Sequence, residues 1–317
     1  LNVEVVEILN SQNTTVDILP AVADEDMPDF DGATFRLANT PASDADTWVD
    51  LSMARDIEAL VVGENNDAGG GLFVVGVNNG AALTLQDGFE NDVNISYGFN
   101  SGTVFNVTLE DVNFNDASLH VAQNSTHVAI ESTGVSATVE NYLNNGDFGD
   151  NLRQLTVTGD KFLHIEAPVA FNTNRAVEID AGANTAGVKL TAENADDEGS
   201  IAENTINVVG SQGDDDFTLT ADAFDITSGA GSNTFTLSGS YDGTLVSGMK
   251  LVFDGSAGED TIVLTGDAGT LLSGSAIMGS GNSLVVNTDY SLTEATLEGI
   301  DSVAISPDAV LALSGAQ

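Results

Sequence analysis

Short alternating runs of apolar and polar residues, each broken by Gly, Asp or Asn, recur along the whole chain. LTLQDG (83–88), LTVTGD (155–160), FTLTAD (217–222), FTLSGS (235–240) and IVLTGD (262–267) are clear cases. A period of two puts every second side chain on one face, so each run predicts a half-buried β-strand that stops at a tight turn. Windows with apolar residues at i, i+3, i+4 and i+7 are few, and helices are not expected.

The runs resemble one another. An apolar residue, two spacers, an apolar residue, one spacer and an apolar residue recur as Ile57, Leu60 and Val62, as Leu152, Leu155 and Val157, and as Ile300, Val303 and Ile305. A corner residue followed by an inward-facing strand produces this pattern when coils stack on one another. The expected fold class is therefore all-β, a parallel β-solenoid of the β-helix or β-roll kind with short Gly, Asp and Asn turns. A pair of β-sandwich domains is the alternative, because it too has a turn every few residues.

Pro20, Pro28, Pro41, Pro168 and Pro307 form no linker cluster, but the texture changes near residue 205. Residues 1–205 read as a β-strand-repeat solenoid region with long acidic loops such as ENNDAGGG (64–71) and ENADDEGS (193–200). Residues 206–317 read as a Gly/Asp-rich β-roll region. The apolar strand LNVEVVEILN (1–10) is the candidate for pairing one subunit to the next, since the end coils of a solenoid expose strand edges.

Charge adds a constraint that the strand pattern does not. The chain of 317 residues carries 49 Asp and Glu against 7 Lys and Arg, a formal net charge of −42. With 42% hydrophobic residues spread along its length it folds rather than staying disordered, so the negative charge lies on its surface. Such a surface repels itself unless salt screens it or bound cations neutralise it. Nucleic acid is excluded as a partner, because phosphate binding draws on clustered basic residues and Arg36, Arg55, Arg153, Lys161, Arg175, Lys189 and Lys250 are scattered.

The chain has no Cys, which removes disulfides and thiolate chemistry. No apolar stretch approaches the roughly 20 residues of a membrane span, so membrane insertion is not expected. The sequence opens at Leu1 without a signal segment, as a processed chain or an excised piece would.

The candidate chemistry lies in the Gly-rich part. GSQGDDDFT (210–218) fits the calcium-binding nonapeptide G-G-x-G-x-D-x-U-x except at the second Gly, and SGAGSNTFT (228–236), GSAGEDTIV (255–263) and MGSGNSLVV (278–286) follow it. Gly permits the turn that points carbonyls inward, Asp supplies a hard oxygen ligand and the next apolar residue starts a strand. Asp214, Asp215, Asp216, Asn233, Glu259 and Asp260 are the candidate Ca2+ ligands. Two nonapeptides make one coil, so Asp215 and Asn233, 18 residues apart, are placed to flank one ion. Asn233 and Asp260 are 27 apart, three nonapeptides, which puts Asp260 on the opposite side of the solenoid.

Through these nonapeptides, and through VDLSMARDIEALVVG (49–63), LRQLTVTGDKFLHIEA (152–167) and VEIDAGANTAGVKLTA (177–192), the chain resembles the RTX-type and β-strand-repeat regions of bacterial S-layer proteins and secreted adhesins. The resemblance implies export to the cell surface, calcium-stabilised coils and self-assembly into a surface layer, filament or adhesive stalk. Other copies of the chain would be the main partner, with cell-surface polysaccharide as a further one. The chain departs from the family in the missing second Gly, in Asn233 where Asp is expected and in lacking a long nonapeptide array.

Other features are weaker. The acidic loop DEDMPDFDG (24–32) lacks EF-hand spacing and reads as a solvated or contact loop, and Glu64, Asp67, Asp196, Asp197 and Glu198 read as turn decoration. His120, His127 and His164 read as surface or core histidines, and no nucleophile-elbow, zincin or P-loop motif is present. The expectation is a structural protein and not an enzyme. The alternatives are a β-helical carbohydrate-active enzyme, which needs only two carboxylates among 49, and a viral fibre or spike protein.

Overall fold

The computed structural model describes residues 5–9, 15–17, 33–38, 47–51, 57–62, 72–77, 81–86, 93–97, 104–121, 125–149, 151–171, 175–194, 204–239, 248–255, 258–266 and 269–314. Every regular element among them is a strand. The chain divides into two compact units, Leu1–Leu152 with His164–Ala167, and Arg153–Leu163 with Pro168–Gln317. The second thus takes in residues on both sides of position 205.

In the first unit the strands are β1 (Val5–Leu9), β2 (Thr15–Asp17), β3 (Ala33–Ala38), β4 (Thr47–Asp50), β5 (Ile57–Val62), β6 (Leu72–Val77), β7 (Ala82–Gln86), β8 (Val93–Tyr97), β9 (Val104–Glu110), β10 (Asn113–Val121), β11 (His127–Thr133) and β12 (Asn141–Asp147). Odd-numbered strands stack in one sheet, in the order β1-β3-β5-β7-β9-β11, and even-numbered strands in a second, β2-β4-β6-β8-β10-β12. Each recorded pairing is parallel, Val6 with Phe35 and Phe105 with Val128 among them. Two strands per coil, each laid on the same strand of the neighbouring coil, make a parallel β-solenoid.

The second unit continues with β13 (Gln154–Gly159), β14 (Leu163–Ala170), β15 (Val177–Asn184), β16 (Val188–Glu193), β17 (Thr205–Val209), β18 (Asp216–Thr220), β19 (Ala223–Thr227), β20 (Thr234–Ser238), β21 (Lys250–Gly255), β22 (Thr261–Thr265), β23 (Gly269–Thr270), β24 (Ala276–Gly279), β25 (Asn282–Val286), β26 (Tyr290–Ser291), β27 (Thr296–Leu297), β28 (Ile300–Ile305) and β29 (Leu311–Ala312). Its sheets run β13-β15-β17-β19-β21-β24-β27 and β14-β16-β18-β20-β22-β25-β28, with a short third sheet β23-β26-β29 in the last coils.

The five alternating runs fall on β7, β13, β18, β20 and β22, as period two requires. In β18, β20 and β22 the buried residues are Phe217 and Leu219, Phe235 and Leu237, and Ile262 and Leu264. Pairing puts these in two columns that run from coil to coil. Phe217 stacks on Phe235 with ring centres 5.4 Å apart, and Phe253 of the facing sheet meets Phe235 edge-on at 5.4 Å. The core is the space between the two sheets, and each buried ring contributes roughly 1.5–3 kcal/mol. Among the described residues, no helix is long and apolar enough to cross a membrane.

Candidate functional site

The described residues of all four nonapeptides lie at the same corner of the second unit, the turn that leads into β18, β20, β22 and β25 in successive coils. Their glycines are there because the coils approach closely. Gly231 has φ 86°, and a Cβ on it would lie 2.4 Å from the carbonyl oxygen of Gly213 in the coil before. Its successor Gly258 would meet the Gly231 oxygen at 2.0 Å.

The Asp or Asn that ends each corner is buried: Asp215, Asn233, Asp260 and Asn282 are each 3% exposed or less. Strand pairing stacks them, because Asp216 pairs with Thr234, Thr234 with Thr261 and Thr261 with Ser283. Their carbonyls join the sheet ladder, Asp215 O accepting from Thr234 N at 2.8 Å and Asn233 O from Thr261 N at 2.7 Å. Their N–H groups point out of the ladder and need another acceptor.

The side chain of the following coil supplies it. Val188 N donates to Asp215 Oδ1 at 2.7 Å, Asp215 N to Asn233 Oδ1 at 2.9 Å, and Asn233 N to Asp260 Oδ1 at 3.3 Å. Asn233 Nδ2 also donates to Asp260 Oδ1 at 2.8 Å and to the carbonyls of Ser228 and Ala230, both at 3.1 Å. The outcome is a continuous side-chain ladder along the corner. A rung of the same kind occurs in the first unit, where Asn141 Oδ1 accepts from Val112 N at 2.7 Å.

The two aspartates of the ladder differ. Asp215 accepts from Val188 N, Ser211 N and Ser211 Oγ, each at 2.7 Å, so both its oxygens are engaged. Burial nevertheless pushes its carboxyl up to about 6, aided by the neighbouring Asp214 and only partly offset by those hydrogen bonds. Asp260 uses Oδ1 alone. Its Oδ2 is buried without a hydrogen-bond partner among the described residues, and so is Asn282 Oδ1 one coil on. A Cβ on Gly255 would lie 2.7 Å from Asp260 Oδ2 and 2.8 Å from Asn282 Nδ2, so the glycine keeps open the space that these groups border.

The remaining candidate ligands lie outside the ladder. Asp214 is exposed and accepts from Ser232 N at 2.8 Å; Asp216 faces Lys189 Nζ at 3.6 Å on the outer face; Glu259 is exposed beside Asp260. Among the described residues, no three His, Asp or Glu side chains converge as a metal cluster would require. The cation chemistry on offer is therefore one buried carboxylate oxygen with the side-chain amide of Asn282 nearby, an environment of low charge.

One expectation is corrected. Asp260 is not on the opposite side of the solenoid from Asn233 but directly beside it in the same column. The spacing misleads because β18 and β19 are joined by two residues, 221–222, whereas β20 and β21 are joined by eleven, 239–249. The longer connection leaves the register unchanged, since β19 still pairs with β21 and β20 with β22. Asp215 and Asn233 do sit on adjacent coils, joined there by a direct hydrogen bond.

Sequence reasoning missed Asn282, Val188, Ser211 and Asn141. The fourth nonapeptide marked Asn282; nothing marks Val188, which takes part through its backbone. His120 lies 3.4 Å from Asp147, and His164 lies 2.8 Å from Glu166 with its ring edge-on to Tyr142 at 4.8 Å. Residues 24–32, Glu64, Asp67, Asp196, Asp197 and Glu198 fall outside the described residues. A scan of protein-family models, a search of curated proteins and a search of solved structures found no match to this chain.

Proposed function

We propose that this chain is an extracellular structural protein that self-assembles into a surface layer, filament or adhesive stalk, with calcium stabilising its Gly/Asp corner. The observation that carries the reading is Asp260 Oδ2, a buried carboxylate oxygen without a hydrogen-bond partner among the described residues, which borders the space beside Gly255 together with the side-chain amide of Asn282, whose Oδ1 is likewise buried without a partner there. A buried carboxylate oxygen without a donor is costly, and a cation relieves that cost. Asp260 and Asn282 would hold the ion, with Glu259 available from the surface. Asp215 is a poorer ligand, since three donors of the chain already occupy it.

Calcium would supply charge neutralisation between coils and no bond-making chemistry. With one carboxylate oxygen engaged, affinity falls in the weak range of extracellular modules, roughly 0.1–1 mM. Binding to the folded form alone then stabilises it where calcium is plentiful. The net charge of −42 acts in the same direction, because divalent cations reduce the repulsion between copies.

The test is light scattering and electron microscopy of the full chain titrated with calcium and then with a chelator. Ordered particles that grow with calcium and dissolve on chelation are expected. A chain that stays monomeric across the whole range would overturn the assembly reading.

A further inference from the structure

One outer face of the second unit is nearly free of charge. The outward side chains of β18, β20, β22, β25 and β28 fall in three columns, because each strand pairs with the next residue for residue. The middle column is Thr218, Thr236, Val263, Val285 and Ala304. The columns beside it hold Thr and Ser, apart from Asn287 and, at one corner of the array, Asp216. Asp216 is the one charge among these fifteen positions, and Lys189 faces it at 3.6 Å.

In a chain of net charge −42 such a face needs a reason. Strand propensity favours Thr and Val on either sheet and does not supply it. The other sheet of the same coils turns Asp225, Lys250 and Asp254 outward. Charge is kept away from one sheet only.

The array is also periodic. No register shift interrupts the pairing from Asp216 to Val286, so rows repeat at about 4.8 Å across the strands and columns at about 6.6 Å along them. Oxygen atoms of hexagonal ice repeat at closely similar distances. Ser302 Oγ donates to Ser283 Oγ at 2.9 Å, which holds hydroxyls of neighbouring coils at the separation of hydrogen-bonded waters. A hydroxyl anchors a lattice water, and the methyl groups of Thr, Val and Ala leave the waters between them to bond one another. A charged group would instead hold a hydration shell that fits no lattice.

We propose that the outer face of β18, β20, β22, β25 and β28 binds ice, ordering water on its hydroxyl and methyl array. The inference is independent of the assembly and calcium readings. A second copy of the chain suits this face less well. Five rows by three columns cover roughly 450 Å², about half of the ~800 Å² that each partner buries in a stable interface. A crystal surface needs no such area from one molecule, since every row meets the same repeat.

The experiment grows ice slowly from a solution of the full chain in calcium and compares its concentration in the ice with that left in the liquid. Growth of a single ice crystal under the microscope gives a second readout. Thr236→Lys with Val285→Lys places two charges in the middle column, and Thr227→Lys with Val252→Lys places two on the outer face of the other sheet as a control. All four side chains point outward, and circular dichroism checks that both variants fold. The wild type and the control should enter the ice and facet the crystal, while the first variant should be depleted from the ice at least fivefold. A wild type excluded from the ice like an ordinary solute overturns the proposal, as does a first variant that enters it as readily as the control. Sedimentation velocity that finds a dimer lost only in the first variant, with no entry into ice, assigns the face to a second copy and overturns the proposal as well.

Discussion

The backbone N–H of Asp215 donates to the side-chain oxygen of Asn233, 18 residues further on, at 2.9 Å. This bond, repeated at Val188–Asp215 and Asn233–Asp260, lets a buried corner turn without stranding a polar group. It also gives the Gly-x-x-Gly-x-Asx phrase a role independent of any ion.

Asn233→Ala removes the acceptor of the Asp215 N–H and the donor to Ser228 and Ala230, and should lower stability by about 2–4 kcal/mol. Asn233→Asp keeps the acceptor but sets a second carboxylate against Asp260, where Nδ2 now donates at 2.8 Å. Its loss should be comparable at neutral pH and should shrink in acid. Urea unfolding of both variants at two pH values checks the difference.

The pH dependence of Asp215 has a definite sign. Its carboxyl stands at about 6 in the fold against an ordinary 3.8, so the folded chain holds the proton more tightly than the unfolded one. This group favours folding most below about pH 4, and its contribution falls as pH rises toward 6, by roughly 3 kcal/mol in all. With 49 acidic residues titrating together, the informative quantity is the difference between wild type and Asp215→Asn. Thermal melts at fixed ionic strength should show that difference changing between pH 4 and 6 and level above it.

Two glycines make a contrast. Gly231→Ala puts a side chain at φ 86° with its Cβ 2.4 Å from the Gly213 oxygen, and should cost more than about 2 kcal/mol. Gly239→Ala meets nothing within 4 Å among the described residues and should stay within about 0.5 kcal/mol of wild type. Melting temperatures of the two variants settle the point.

The strands and their parallel stacking were legible because alternation and self-similarity follow directly from which face is buried. The corner was legible too, since Gly and Asx there answer local backbone demands. What the spacing could not convey is that residues 239–249 lengthen a coil without shifting its register, so Asp260 joins the column of Asn233. The partners of Asp215 were equally hidden, because a backbone N–H such as that of Val188 is carried by every residue type except Pro. Ile300, Val303 and Ile305 repeat the core pattern in sequence, yet Val303 and Ile305 stand half exposed, because burial there depends on a coil laid beyond them.

The most direct measurement is the melting temperature of the wild type and of Asp260→Asn in calcium, with magnesium and sodium chloride at matched ionic strength. Asn already serves at position 233 of the same column, so the variant should fold. The account predicts a calcium-specific rise of several degrees in the wild type that Asp260→Asn loses. An equal rise in plain salt, or a calcium response that survives in Asp260→Asn, would contradict it.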